Sequence, residues 1–154
     1  MTKHTGKWIG LMVHHSAGST KDTVESIRHI HKDINKWGDI GYHYVLEIKD
    51  GKGYLKKGRS TTYNGAHAGV PYYNNNYLGI CVPGNYSVNE MPTQIYNDLL
   101  SACCTIIKKF DLTKVKGHRE VKATQCPGLK VNLTQLRKDI NKKFKDAGVN
   151  KSIT

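Results

Sequence analysis

Apolar positions along this chain follow two spacings, and the switches between them mark its elements. Residues 8 to 13 form a short apolar run bounded by Gly6 and by the SAGST cluster at 16 to 20. A run of that length predicts a buried strand whose C-terminal end presents His14 and His15 to opposite faces. From Asp22 the spacing becomes helical, with Val24, Ile27, Ile30 and Ile34 on one stripe and Asp22 and Glu25 laid out as a capping box. That helix should end near Asn35.

Tyr42 to Ile48 is aromatic and β-branched, and the DGKG at 50 to 53 is hairpin chemistry leading into Tyr54 to Gly58, so two antiparallel strands are expected. Residues 59 to 77 are rich in Gly, Asn and Tyr with little periodicity, which is the make-up of a binding loop. Leu78 to Val82 predicts a strand stopped by Pro83 and Gly84, and Ile95, Leu99, Cys103, Ile106 and Phe110 predict a helix over roughly 93 to 110. Val115 to His118 reads as a short strand, and Leu133, Leu136, Ile140 and Phe144 as a last helix with Asn132 at its N-cap. The pattern then stops. Residues 1 to 145 are expected to form one folded domain and 146 to 154 a frayed tail or linker remnant. Strands interleaved with about three helices give a single-domain α/β fold, a central mixed sheet with helices on its faces.

Composition narrows the class. At 154 residues and 38% hydrophobic content the chain can build one core and not two. Lys plus Arg number 24 and Asp plus Glu 12, so the net charge is 24 − 12 = +12, which draws polyanions. The basic residues are scattered through helices and hairpin tips without a nucleic-acid motif, so no nucleic-acid partner is expected. Cys81, Cys103, Cys104 and Cys126 are too few and too unevenly spaced for a disulfide framework. The apolar run at 8 to 13 is shorter than a signal-peptide core, and nothing approaches the roughly 20 apolar residues of a membrane span. Synthesis in the cytoplasm without a signal peptide is the expectation.

The candidate chemistry lies at the ends of these elements. His118 and Cys126 are eight residues apart in GHREVKATQCPG, and His14 closes the first apolar run. Two imidazoles and a thiolate hold zinc while leaving one tetrahedral position for water, the pattern of a catalytic site. Alternation alone does not rank His14 above His15.

Five segments in order, VHHSAG at 13 to 18, GYHYVL at 41 to 46, GAHAG at 65 to 69, LGICVPG at 78 to 84 and GHREVKATQCPG at 117 to 128, resemble the zinc N-acetylmuramoyl-L-alanine amidases. That family joins phage lysozymes of amidase type with animal peptidoglycan recognition proteins. The resemblance spans roughly residues 8 to 145. It implies one Zn²⁺ held by His14, His118 and Cys126, a catalytic tyrosine at Tyr42, and Thr124 where phage members commonly carry a catalytic lysine. A neutral hydroxyl donates a hydrogen bond but cannot balance a developing negative charge. Lys122 is the nearby cation that could substitute, and Glu120 is either a base or a structural ion-pair partner. His67 resembles a residue of the family's substrate groove, with Tyr63, Asn64 and Asn76 offering aromatic faces and amides to peptidoglycan.

The resemblance therefore implies hydrolysis of the bond between N-acetylmuramic acid and L-alanine, in a phage or prophage endolysin or an autolysin. Such an enzyme would reach the wall through a permeabilised membrane, and its positive charge would favour anionic wall polymers. The competing reading is a non-catalytic peptidoglycan receptor on the same fold. Such receptors typically replace the cysteine ligand, which is present here.

Overall fold

The computed structural model describes all residues, 1–154. Five strands, β1 (Gly10–His15), β2 (Tyr44–Lys49), β3 (Lys52–Lys57), β4 (Tyr77–Val82) and β5 (Lys114–Gly117), form one mixed sheet in the order β3-β2-β4-β1-β5. β1 lies parallel to both β4 and β5, β2 is parallel to β4, and only the β2–β3 hairpin is antiparallel. Its turn has positive φ at both Asp50 (52°) and Gly51 (75°), the backbone that a two-residue hairpin needs. Four helices accompany the sheet: α1 (Val24–His29), α2 (Pro71–Asn76), α3 (Thr93–Phe110) and α4 (Leu133–Asp146). The fold is the single-domain α/β architecture expected, with one helix more.

Strand alternation sorts the side chains into two layers. Leu11, Val13, Leu78, Ile80, Tyr44 and Leu46 join Ile95, Leu99, Ile106, Leu136 and Ile140 in the main core, so α3 and α4 cover one face of the sheet. Burying each such aliphatic side chain contributes about 1.5–3 kcal/mol relative to leaving it in water. The other face carries smaller clusters, Val45 and Cys81 with Val24 and Ile27 of α1, and Met12 with Ala68 and Tyr77. This thinner layer leaves room for polar side chains above the sheet.

Three expectations are corrected. The cap of α1 is Thr23 with Ser26, not Asp22 with Glu25: Thr23 Oγ1 accepts from the Ser26 amide at 3.1 Å and Ser26 Oγ from the Thr23 amide at 2.8 Å. Glu25 instead pairs with Arg28. The stripe also breaks, because residues Ile30–Ile34 wind as a π-helical turn, whose extra residue per turn rotates Ile30 and Ile34 off the sheet to 45% and 63% exposure. Finally, the C-terminal residues do not fray. Ile153 is buried in the main core, Asn141 hydrogen-bonds both its amide and its carbonyl, and Thr154 exchanges backbone bonds with Thr113 and Val115 along the outer edge of β5. An open sheet edge and one apolar anchor order a segment that has no periodicity. α2 lies inside the region read as loop; Pro71 opens it, and six residues are too few for a periodic signal.

Candidate metal centre

His14 and Cys81 stand opposite each other at the C-terminal ends of the parallel strands β1 and β4, where open α/β sheets hold their ligands. His118 follows β5 directly, in a single 3₁₀ turn, and Cys126 comes eight residues later. The loop between them is closed by the Arg119 amide, which donates to the Cys126 carbonyl at 2.7 Å, while the Arg119 guanidinium donates to the carbonyls of Gly128 and Val131. One ligand atom from each of His14, His118 and Cys126 lies within 4.8 Å of the other two. Cys126 Sγ is 3.4 Å from His14 Nδ1.

Backbone carbonyls fix which imidazole nitrogen faces this cluster. His118 Nε2 is 2.7 Å from the Ala68 carbonyl oxygen, which can only accept, so Nε2 carries the proton and Nδ1 keeps its lone pair. His67 Nε2 donates likewise to the Tyr77 carbonyl at 2.8 Å, leaving His67 Nδ1 to accept from His14 Nε2 at 2.8 Å. His14 therefore also turns a bare Nδ1 towards Cys126. Burial, reinforced by the neighbouring imidazoles, holds His14 well below the ordinary histidine range, and burial lowers His118 as well. Both rings are neutral and able to ligate at physiological pH. Burial pushes the Cys126 thiol up to about 11, opposed by the His15 amide and by Arg119, so a thiolate there calls for a cation beside it. Donor type, tautomer and electrostatics all fit zinc.

A sequence model of the N-acetylmuramoyl-L-alanine amidase family matches residues 4–129. The chain belongs to this family. It is 31% identical over 125 residues to the endolysin of Escherichia phage T7, an alignment covering 76% of this chain and 78% of that one. It is 34% identical over 110 residues to the N-acetylmuramoyl-L-alanine amidase of Mus musculus, covering 68% of this chain but only 20% of the mouse protein. Among solved structures it is similar to the N-acetylmuramoyl-L-alanine amidase LysC from Clostridium intestinale, with a TM-score of 0.74, 26% identity and coverage of 97% and 95% of the two chains. A Drosophila peptidoglycan recognition protein, PGRP-LB, solved in complex with tracheal cytotoxin, superposes with a TM-score of 0.72 at 26% identity, covering 84% of this chain and 80% of that one.

Within this amidase-family site, Tyr42 places its ring 5.1 Å from that of His14. Burial and the nearby Cys81 and Cys126 thiols raise its phenol well above the ordinary range, so it stays a neutral O–H donor. Next to it stands His31, whose ring is 5.6 Å from Tyr42 and 4.5 Å from the half-exposed Trp37. His31 is fixed because its Nδ1 accepts the Gly41 amide at 2.9 Å, and Gly41 itself has no room for a Cβ against the Ala66 carbonyl. The place of His31 beside Tyr42 is not marked by the spacing, because the π turn that holds it has no sequence period.

Thr124 is exposed, and its Oγ1 accepts from the Cys126 amide at 3.3 Å, which leaves its own O–H free to donate. The remaining expected residues are placed differently. His67 is buried beneath His14 with both nitrogens engaged, which places it behind His14 rather than on the surface. Asn64 gives its carboxamide oxygen to His4 Nδ1 and so braces the N-terminal segment, and the Tyr63 carbonyl accepts from His43. Asn76 precedes β4 at the end opposite Cys81, and its amide donates to the Tyr72 carbonyl. Lys122 lies across Gly69, beside the loop that takes the Nε2 proton of His118, and so sits on the side of that ring away from its ligating nitrogen. Glu120 forms a two-point ion pair with Arg137 at 2.8 and 2.9 Å and accepts from the Gly117 amide, a structural brace. Asn74 carries no sequence mark, yet its Oδ1 accepts from the amides of both His67 and Ala68 and so shapes the turn behind the ligands.

Proposed function

We propose that this chain is a zinc-dependent N-acetylmuramoyl-L-alanine amidase that cleaves the amide between N-acetylmuramic acid and L-alanine in bacterial peptidoglycan. The single observation that carries this reading is the convergence of His14, His118 and Cys126 with both histidine tautomers already set for ligation. A receptor that merely grips a muramyl peptide has no use for that arrangement. Similarity to the phage T7 endolysin supports an endolysin that acts on the wall. No helix is long and apolar enough to cross a membrane.

When bound, zinc supplies a water whose pKa falls from 15.7 to roughly 7 and a Lewis acid for the scissile carbonyl. The chain's own residues hold and steer the reaction around it. Tyr42 keeps its proton and donates a hydrogen bond towards the carbonyl oxygen as that oxygen gains charge. Thr124 adds a second, neutral donor at the cleft mouth. The His15 amide and Arg119 stabilise the Cys126 thiolate, and His67 keeps His14 from rotating. His31 and Trp37 form the apolar wall along which the muramyl peptide lies.

The test is digestion of purified cell wall by wild-type, chelator-treated and His118→Ala protein. New L-alanine amino termini without new reducing ends, lost on chelation and restored by added zinc, are expected. New reducing ends, or equal turnover by the chelated protein, would overturn the assignment.

A further inference from the structure

The two long helices turn their outer surface to solvent on the side of the sheet away from the metal centre. α3 and α4 run in the same direction: Met91 to Tyr96 lie beside Val131 to Gln135 at one end, and Ser101 to Lys108 beside Lys143 to Val149 at the other. At this second end the carboxylates already have partners. Asp111 binds Lys7 and Lys151, and Asp146 binds Lys142. Lys108, Lys138, Lys143 and Lys145 are exposed and make no ion pair. The two helix C-termini contribute about −0.5 charge each, which offsets roughly one of these four cations. Lys108 and Lys143 flank a recessed slot of about 310 Å³ floored by Cys104, Phe144, Ala147 and Val149.

We propose that this end of the α3–α4 face docks the anionic phosphodiester polymers of bacterial walls, tethering the enzyme while the cleft on the opposite face stays open to substrate. The amidase reading enters only in the choice of polyanion. A linear phosphodiester repeats its charge along a thread, which suits a groove between two parallel helices with Lys108 on one side and Lys143 on the other. A bilayer is disfavoured, because none of the exposed large apolar side chains, from Met1 to Leu129, stands on α3 or α4 to insert among acyl chains. A nucleic acid is disfavoured because no exposed aromatic ring is available there to stack a base.

The experiment compares wild-type full chain with Lys108→Gln/Lys143→Gln/Lys145→Gln, and with Lys49→Gln/Lys52→Gln/Lys56→Gln on the distant hairpin as a control of equal charge. Co-sedimentation is measured on walls bearing phosphodiester polymer, on walls stripped of it, on phosphatidylglycerol vesicles and on single-stranded DNA. The helix-face variant should lose roughly tenfold or more in affinity for polymer-bearing walls at 150 mM salt, with the salt slope reduced by about 2. The hairpin variant should lose far less, and stripped walls should bind wild type weakly. Equal losses in the two variants, equal binding to stripped walls, or tighter binding to vesicles or DNA would overturn the proposal. Turnover of a soluble muramyl peptide, expected to be unchanged in both variants, reads the amidase assignment separately.

Discussion

His67 Nδ1 accepts the Nε2 proton of His14 at 2.8 Å, so a buried imidazole stands where a carboxylate or carbonyl more often orients a metal-binding histidine. The direction of the bond is set one step further back, by the Tyr77 carbonyl that takes the other His67 proton. His67→Phe keeps the ring volume and removes the acceptor. It should weaken zinc binding about 10–100-fold, measured by competition with a chromogenic chelator, and His67→Gln should recover part of the loss. Unchanged zinc affinity in His67→Phe would mean that His14 is oriented by packing alone.

Tyr42 and Thr124 can be separated by the same logic. Tyr42 is partly buried and beside His14, whereas Thr124 is exposed. Tyr42→Phe should lower kcat about 10²–10³-fold with zinc content intact. Thr124→Val should cost no more than about tenfold, the worth of one neutral hydrogen bond. Steady-state release of L-alanine termini decides it: a Tyr42→Phe enzyme within threefold of wild type would remove the phenol from the chemistry.

How much of this could be read in advance varies with the range of the interaction responsible. α3 matched its expected span of 93 to 110, because Ile95, Leu99, Cys103 and Ile106 repeat every three to four residues and all are buried. Asn132 was visible as a cap because its side chain acts on a donor three residues away, at Gln135. His118 and Cys126 stood out by residue type and spacing, whereas His14 was chosen over His15 only by the resemblance, and one ligand atom of each of the three does lie within 4.8 Å of the others. His67 was misplaced because residue type alone does not distinguish facing the cleft from backing a ligand 53 residues away. Ile153 was missed because its order comes from β5 and Asn141, not from neighbours in sequence.

Glu120 is the residue on which a base and a brace can be told apart. Its carboxylate is held below the usual range, with the Arg137 guanidinium and the Gly117 amide outweighing its partial burial. Glu120→Gln retains shape and loses the charge opposite Arg137. It should destabilise the fold by about 1–3 kcal/mol in urea titration, while kcat on soluble muramyl peptide stays within a few fold. A collapse of kcat without loss of stability would instead make Glu120 a base.

Acid sensitivity follows from two histidines buried as neutral rings. Burial lowers His43 to about 4 and His67 to about 3. His43 Nδ1 accepts the Gly79 amide at 3.1 Å while Nε2 donates to the Tyr63 carbonyl at 2.9 Å, so a proton added at Nδ1 would face another N–H. Above about pH 6.5 neither the folded nor the unfolded chain protonates these rings, and stability is full. Below that value the unfolded chain takes up protons that the folded chain refuses until about pH 4 for His43 and about pH 3 for His67. Stability is therefore lost as the pH falls, at roughly 1.4 kcal/mol per pH unit for each ring. His14, His15, His31 and His118 are also lowered by burial and act with the same sign, whereas Asp39, Asp111 and Glu120 are lowered carboxylates that titrate below this window. Metal-free protein should lose about 3–4 kcal/mol between pH 7 and pH 5 from His43 and His67 alone, read by urea unfolding at each pH. His43→Gln should flatten that slope by about one proton, and equal stability at the two pH values would show that these rings are solvated.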